Sequence, residues 1–279
     1  MRADRVITLG VVNPIINLLR FPPENKLPII MYHSISSNAE KVHPYFRTNT
    51  SPTTFRHHLE IMRSEGYTFV TPVELKTRFS SDRPWLGRKC LLLTFDDGFF
   101  DFYSEAFPIL AEFGASAIAY LPVGYIGTEN AGFTGNKHLS WQQASELAQA
   151  GIAFGSHSIS HSKLSKLSIS RVREEIIDSK KEIEDRIGFA VESFSYPYAF
   201  PSGNMRFINE LEGILIEGGY SWGVSTRIGR AHSKDNRYFL RRLPMNDMDD
   251  IALVKAKLGG AYDWLGMPQL IVRVMNNIF

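Results

Sequence analysis

Short apolar runs alternate with amphipathic stretches along most of this chain, and that alternation limits the folds open to it. The runs are brief and bounded by polar or turn residues, which is typical of strands, whereas the stretches between them carry helix signals. Regular alternation of strands and helices indicates a largely parallel sheet or barrel. Eight runs predict strands: LPIIMY, YTFV, CLLLTF, ASAIAYL, GIAFGS, SFSYP, YSWGVS and YFLRRLP.

Helices are predicted between these runs from their start and stop signals. Ser140 and Gln143 form a capping box that opens a helix ending at Gly151. Residues 52–66 and 170–188 have similar ends. In the second of these, an apolar stripe faces the core, and the charged residues are expected to form a solvated face without function: Glu174, Glu175, Lys180, Lys181 and Glu184.

Length and composition are those of one α/β domain with a large core, because 44% of the 279 residues are hydrophobic. The 31 basic and 29 acidic residues are mixed along the chain, so no basic stripe suggests nucleic acid as a partner. The single cysteine, Cys90, excludes an intrachain disulfide and favours the cytoplasm. It is expected to be a buried strand residue and not a nucleophile.

Both ends of the chain are apolar and lie outside the expected catalytic domain of residues 27–246. Residues 1–26 are interrupted by Asn13 and Pro14 and lack a small-residue cleavage site, so we expect them to be retained. The apolar stretch 6–19 is too short to span a bilayer, which takes about 20 residues. Residues 247–279 are expected to be helical, with an apolar face that contacts a membrane surface or packs on the barrel.

Polar residues follow several predicted strands at the point where each one ends. His33 follows PIIMY, Asp96 and Asp97 follow LLLTF, His157 follows IAFGS and Tyr198 follows SFSYP. In barrels of this type the carboxyl ends of the strands build the active site. These residues are therefore expected to converge although they are far apart in sequence.

Two of these segments contain groups that suit a metal site. Neighbouring side chains at Asp96 and Asp97 point different ways, so one carboxylate can bind a cation while the other serves as a base. His157 and His161 are four residues apart, which can place both imidazoles on one metal. Together with one carboxylate they make a two-histidine, one-carboxylate site. Taken alone, the two Asp residues could equally form a solvated turn, and the histidine spacing could be accidental.

With these motifs in order, the sequence resembles the polysaccharide deacetylases with a NodB-type domain, carbohydrate esterase family 4. The family's TFDDG motif is present at residues 94–98 and its SHSxxH motif at residues 156–161. The resemblance covers residues 27–246 and implies a distorted (β/α)7-type barrel. The YH motif at Tyr32 and His33, upstream of TFDDG, is similar to the permuted branch that includes the poly-N-acetylglucosamine deacetylases.

The resemblance implies a role for each motif residue. Asp97, His157 and His161 would hold one divalent metal ion, with zinc the first choice and iron, cobalt or nickel also suitable. Asp96 would be the general base that deprotonates the attacking water. His33 would be the general acid, because the region after residue 242 contains no histidine for that role. A structural histidine is the alternative for His33.

The family's YP motif matches Tyr196, Pro197 and Tyr198, and Tyr198 is assigned to the catalytic set because a main-chain amide there stabilises the oxyanion. The arginine often found before this proline is absent, as is the glycine that commonly follows the motif, since Ala199 stands there. Arg242 is the candidate to replace that arginine and orient Asp96, unless it is a surface residue.

The expected function is metal-dependent removal of acetyl groups from an N-acetylhexosamine in a glycan or lipid-linked glycan precursor. The expected location is cytoplasmic, at the cytoplasmic face of the inner membrane, with peripheral membrane contact through the terminal segments. Two alternatives remain open: a metal hydrolase of another amide or ester on the same barrel, and a non-catalytic glycan-binding relative. The second would have lost at least one of the five base, ligand and acid positions, and all five are present.

Overall fold

A computed structural model describes residues 2–19, 26–38, 42–79, 89–128 and 135–278. Its centre is a closed barrel of parallel strands, which confirms the expected fold class. The barrel strands are β1 Ile29–Tyr32, β2 Cys90–Phe95, β3 Ala117–Leu121, β4 Ala153–Ser156, β5 Ser193–Ser195, β6 Trp222–Ile228 and β7 Leu240–Pro244.

The strands are hydrogen-bonded in the ring order β1-β7-β6-β5-β4-β3-β2, and β2 pairs with β1 to close it. Two irregularities distort the ring. Strand β5 meets β4 through a single aligned pair, Ser156 with Phe194, and the register between β6 and β7 shifts between Val224 and Ile228. The predicted strand YTFV forms only Thr68–Phe69, which pairs with the start of β2 outside the ring.

Helices cover the outside of the barrel, and those predicted from their end signals are present. Ser140 and Gln143 make both hydrogen bonds of the capping box, and Gly188 ends the long helix in the left-handed conformation that suits glycine. The helices are Ala3–Ile7, Asn13–Leu19, Pro52–Ser64, Pro72–Phe79, Phe107–Glu112, Trp141–Gln149, Ile169–Ile187, Met205–Glu217, Ile251–Leu258 and Gly266–Ile278.

Alternation along the strands separates two apolar regions. Side chains such as Leu91, Leu93 and Phe95 point outward and pack under the helices in the larger core cluster. Their neighbours, such as Leu92 on β2, point into the barrel and form the smaller cluster with Tyr120 and Trp222. Cys90 is buried at the start of β2, as expected.

The barrel interior changes from apolar to polar toward the carboxyl ends of the strands. On β2 the inward series runs Leu92, Thr94 and then Asp96, all buried. Arg242 of β7 also points inward and is buried. Gly155 on β4 leaves room there, because a Cβ at this position would lie 2.3 Å from the Tyr120 ring. The polar residues of the motifs therefore share one end of the barrel.

Candidate active site

The residues singled out in the sequence come from five strands of the barrel and meet at its carboxyl end. His33 follows β1, Asp96 and Asp97 follow β2, and the segment 157–161 follows β4. Tyr198 lies in the loop after β5, and Arg242 reaches the same region from within β7. Closure of the barrel brings them together, because it places β1 beside β2.

The three predicted metal ligands form one buried cluster. Asp97 Oδ1 lies 3.4 Å from Nε2 of His157 and 3.2 Å from Nε2 of His161. The ligand atoms of all three residues lie within 4.8 Å of one another. A carboxylate and two imidazoles are donors that zinc and related divalent cations accept, so the residues present fit such an ion.

The tautomer of His157 supports this interpretation of the cluster. Its Nδ1 lies 2.7 Å from the carbonyl oxygen of Ser195. A carbonyl can only accept a hydrogen bond, so Nδ1 carries a proton, and in the neutral imidazole Nε2 is then the nitrogen left to bind a cation. Donation from the second ring nitrogen to a backbone carbonyl is the usual way in which a metal-binding histidine is oriented.

The charge of Asp97 is stabilised within the cluster. Burial alone would raise the pKa of this carboxyl, but its contacts with His157 and His161 outweigh burial and hold the pKa well below its usual range. Asp97 therefore stays ionised, as a metal ligand must.

Backbone strain is concentrated in the same loops. Among the described residues, the non-glycine residues with positive φ are Asp97, Ser158, His161 and Tyr198, at 75°, 68°, 50° and 57°. Such conformations cost about 1–3 kcal/mol each and cluster at functional sites, where the surrounding structure enforces them. The strained residues therefore lie in the same loops as the motifs recognised in the sequence.

Asp96 is held by a bidentate ion pair at the centre of the barrel. Nη1 and Nη2 of Arg242 lie 2.7 Å from its two carboxylate oxygens, and Ser195 Oγ donates to Oδ1 at 3.2 Å. Burial would raise the pKa of Asp96, but Arg242 reverses this and lowers it. The structure excludes a surface position for Arg242 and places it where an orienting role requires; its function stays a prediction.

His33 is only partly buried, unlike a structural core histidine. The backbone amide of Asp96 donates to the carbonyl oxygen of Tyr32 at 3.0 Å, so His33 lies beside Asp96 at the ends of neighbouring strands. Tyr198 is half-exposed, and its ring centroid lies 4.8 Å from that of His161. His33 and Tyr198 are therefore the least buried of the predicted site residues.

One expectation from the sequence was wrong. Glu175 is not part of a solvated face: it is fully buried, and its carboxylate accepts hydrogen bonds from the backbone amides of Ile159 and Ser160, both at 2.8 Å. These amides belong to the loop between the two histidine ligands. The signal in the sequence was its position beside Ile176, within the apolar stripe of the helix.

Two further supporting residues carried no recognisable motif. The carbonyl oxygen of Ser195 contacts His157, and its hydroxyl contacts Asp96 and Arg242. Ser195 therefore connects the cluster of Asp97, His157 and His161 to Asp96. His138 Nδ1 lies 2.9 Å from the carbonyl oxygen of Asp97 and, as its donor, supports that strained residue. Neither role is visible from local sequence, because both depend on contacts across the fold.

A barrel that carries these motif residues at its strand ends defines a class of carbohydrate-active hydrolases, and comparison with known proteins agrees. The family model named Polysaccharide deacetylase matches residues 85–214. YxkH of Bacillus subtilis, whose name places it in the same family, is 33% identical over 218 residues, which cover 78% of this chain and 71% of YxkH. The chain belongs to the polysaccharide deacetylase family.

Two further relatives align with most of this chain. The Streptococcus pyogenes deacetylase PplD, solved in complex with acetate, has a TM-score of 0.72 and 27% identity, with 84% of this chain and 98% of that chain covered. A poly-beta-1,6-N-acetyl-D-glucosamine N-deacetylase of Staphylococcus aureus is 21% identical over 213 residues, which cover 71% of this chain and 68% of that protein.

Proposed function

We propose that this protein is a metal-dependent N-deacetylase that acts on an N-acetylhexosamine in a glycan or lipid-linked glycan precursor. The observation on which this proposal rests is that two adjacent carboxylates have different surroundings. Asp97 faces two imidazoles in a ligand cluster, whereas Asp96 faces Arg242. A metal ligand and a base can therefore work side by side.

Each residue has a step that its geometry suits. Asp96, kept ionised by Arg242, accepts the proton of the water that attacks the acetamide carbonyl. His33 donates a proton to the leaving amine, and the main-chain amide of Tyr198 donates to the developing oxyanion. A divalent cation held by Asp97, His157 and His161, with zinc first and iron, cobalt or nickel as alternatives, would polarise the carbonyl and acidify the water.

The choice of substrate rests on relatives. The Staphylococcus aureus relative is named for N-deacetylation of poly-beta-1,6-N-acetyl-D-glucosamine, and PplD was solved with acetate, the product expected here. Both support an N-acetylated hexosamine as the group that enters this site. A neutral sugar also agrees with the small formal net charge of +2.

Acetate release tests the reaction and the substrate together. Purified protein is incubated with zinc and with N-acetylglucosamine oligomers or lipid-linked N-acetylglucosamine, and acetate is measured. We expect release from at least one of these substrates, loss after chelation and recovery when zinc is restored. Release from acetate esters such as acetylated xylan, with none from any N-acetyl sugar, would instead support an esterase on the same barrel.

We also propose that the protein works at the cytoplasmic face of a membrane. Large apolar side chains are exposed on both terminal helical segments, and Trp264 Nε1 donates to Thr8 Oγ1 at 3.1 Å, which joins the two ends. Helices with exposed apolar faces bind in the plane of a bilayer surface. The exposed residues are Val6, Ile7, Val11, Ile15, Leu18, Leu19, Met267, Ile271, Val272 and Met275.

None of the helices in the described part of the chain has the length and apolar content needed to cross a bilayer. Parts of both termini also pack on the barrel: Tyr262 is buried, and its hydroxyl donates to Asp4 at 2.7 Å. Of the terminal segments, Met1, residues 20–25 and Phe279 lie outside the described residues. Surface substitutions therefore test membrane binding better than truncation near Gly260, which would remove Tyr262.

Liposome flotation tests the membrane proposal. The double variant Ile271→Glu with Met275→Glu should leave the liposome fraction, because charges on the apolar face oppose insertion. Val73→Glu is the control, since Val73 is 73% exposed on another helix. Wild-type protein that stays in the soluble fraction would contradict this proposal and leave the deacetylase proposal intact.

A further inference from the structure

A small cavity lies between the carboxyl end of β6, the amino end of β7 and the start of the C-terminal helix Gly266–Ile278. Its volume is about 60 Å³, and Arg227, Arg241, Ser202 and Gln269 are among the residues that line it. One water needs about 10–15 Å³ measured in this way, so the cavity has room for a group the size of a phosphate.

The two arginines in this cavity lack strong acidic partners. No carboxylate in the described part of the chain lies within 4.0 Å of the Arg227 guanidinium, and Arg241 has only Asp235, at 3.8 Å. Burial, and after it the neighbouring Arg241, lower the pKa of Arg227. Asp235 opposes these effects only in part. Two neighbouring cations that share one carboxylate repel each other, and a bound anion would relieve that repulsion.

The other charges near the cavity do not supply the missing anion. Asp263 also lines it, but its carboxylate is bound by Arg230 at 3.0 Å and by Lys26 at 3.3 Å. Asp235 Oδ2 accepts the backbone amide of His232 at 3.0 Å. Both carboxylates near the cavity are therefore already engaged by other groups.

The cavity is tied to the active site through Thr226. Gln269 Nε2 donates to the carbonyl oxygen of Thr226 at 2.9 Å, and Thr226 Oγ1 donates to the carbonyl oxygen of Tyr198 at 2.9 Å. Ser202, on the cavity wall, is four residues after Tyr198, a span of at most roughly 14 Å of chain. A substrate whose sugar lies at Tyr198 can therefore place a neighbouring group in the cavity.

Apolar surface begins at the same place. Met267 and Leu270 line the cavity, and Met267 and Ile271 are 64% and 54% exposed on the C-terminal helix. An anionic group bound by the arginines would thus have the sugar site on one side and an apolar surface on the other. That order of chemical groups matches a sugar joined through phosphate to a lipid chain.

We propose that Arg227 and Arg241 form an anion subsite for the phosphate of a lipid-linked glycosyl phosphate substrate. This inference rests on the proposed function and narrows its substrate class. Arginine suits the role, because its planar guanidinium binds phosphate oxygens in a bidentate fashion. Ser202 and Gln269 add polar groups to the wall of the same cavity.

The test measures binding and turnover in the zinc-loaded full chain. Calorimetry gives the Kd of inorganic phosphate and of N-acetylglucosamine 1-phosphate for wild type, Arg227→Gln and Arg241→Gln. Arg173→Gln is the control, since it removes one arginine whose partner is Glu217 on an exposed surface. Acetate release is then compared between polyprenyl-phosphate-linked N-acetylglucosamine in micelles and uncharged tri-N-acetylchitotriose.

Either arginine substitution should raise the Kd of both phosphate ligands, and the KM of the lipid-linked substrate, by roughly tenfold or more, the scale of a charged hydrogen bond. The KM of the uncharged trimer should change several-fold less, and the control should change neither. Melting temperatures verify folding, and Arg227→Lys, which keeps the charge, should recover part of the binding.

The possible results separate the two proposals. Unchanged phosphate binding in both arginine variants overturns the anion subsite even if acetate is released. Weaker binding of inorganic phosphate with an unchanged KM for the lipid-linked substrate also overturns it, because the site then takes free phosphate. If phosphate binding is lost in both variants but no sugar releases acetate, the site binds an anion as inferred and the proposed function fails.

Discussion

Two clusters of buried charges lie in this protein, one around Asp96 and Asp97 and the other around Asp249. In the second, Arg2 pairs with Asp4 at 2.7 Å and with Asp249 at 2.8 Å, and Lys257 pairs with Asp249 at 2.8 Å. The two cations and two carboxylates balance, and the hydroxyl of Tyr262 donates to Asp4. This cluster attaches the first residues of the chain to the segment that follows β7.

In the first cluster, around Asp96 and Asp97, only one of the two carboxylates has a cationic side chain as its partner. Arg242 neutralises Asp96, whereas Asp97 contacts the imidazoles of His157 and His161 and no arginine or lysine among the described residues. Burial opposes ionisation in both clusters, and pKa values are lowered at Asp96, Asp97 and Asp249 alike. Burial and a shifted pKa therefore do not identify an active site by themselves. The carboxylate that lacks a fixed cation identifies it.

The largest effect is expected from Asp96→Asn. Turnover should fall by roughly 10³-fold or more, because the base is lost, while zinc content stays nearly unchanged, because Asp97, His157 and His161 remain. Asparagine retains one acceptor oxygen for Arg242, but the buried guanidinium loses its counter-charge, so melting temperatures are measured to verify folding. Acetate release and bound zinc are measured together, and His157→Ala, which should lose both, is the comparison. Near-wild-type turnover in Asp96→Asn would remove it as the base.

Asp249→Asn should lower the stability of the fold and leave the zinc site unchanged. Removal of one partner from a buried ion pair typically costs about 3–5 kcal/mol of folding free energy, because Arg2 and Lys257 are left uncompensated. Zinc affinity should be unchanged, since no metal ligand is involved. Denaturant unfolding measures the loss, and Glu217→Gln, in an exposed pair with Arg173, should cost no more than about 1 kcal/mol. A loss of zinc affinity without a loss of stability would contradict the purely structural role of the Asp249 cluster.

His33→Asn should lower the turnover number by roughly 10²-fold, the scale of a lost general acid, with little change in zinc occupancy or stability. A partly exposed histidine can change without loss of core packing. His57→Asn is the control, because His57 is half-exposed on the helix Pro52–Ser64. Equal hydrolysis of an N-acetyl substrate by wild type and His33→Asn would exclude it from the mechanism.

The smallest effect is expected from Glu175→Gln. This change weakens support for the loop that carries His157 and His161, and the loss of such a supporting group typically lowers metal affinity by about 10-fold or more. Competition with a chromophoric chelator measures zinc affinity. The neighbouring variant Glu174→Gln should bind zinc like wild type, because Glu174 is exposed and paired with Arg171. Similar affinities in the two variants would mean that the loop holds its shape without Glu175.

The sequence by itself predicted most of the barrel and the three residues that cluster at its carboxyl end, Asp97, His157 and His161. The periodicity of strands and helices is a local property of the sequence. Helix-end signals such as Ser140 and Gly188 also act within a few residues, so both can be recognised without the tertiary structure. The DDG segment at residues 96–98 and the HxxxH segment at residues 157–161 could also be recognised from the sequence. Each places its polar groups close together in sequence and directly after a predicted strand.

Only the tertiary structure decided which charged residues serve the site. Arg242 binds Asp96 across 146 positions of sequence, and Glu175 binds the loop at Ile159 across 16, so neither contact is visible in a local pattern. An isolated arginine or glutamate in a sequence is most often a surface residue, and its burial depends on whether the fold supplies a partner. Closure of the barrel supplies Asp96 as the partner of Arg242, and packing of the helix Ile169–Ile187 beneath the histidine loop supplies the partners of Glu175.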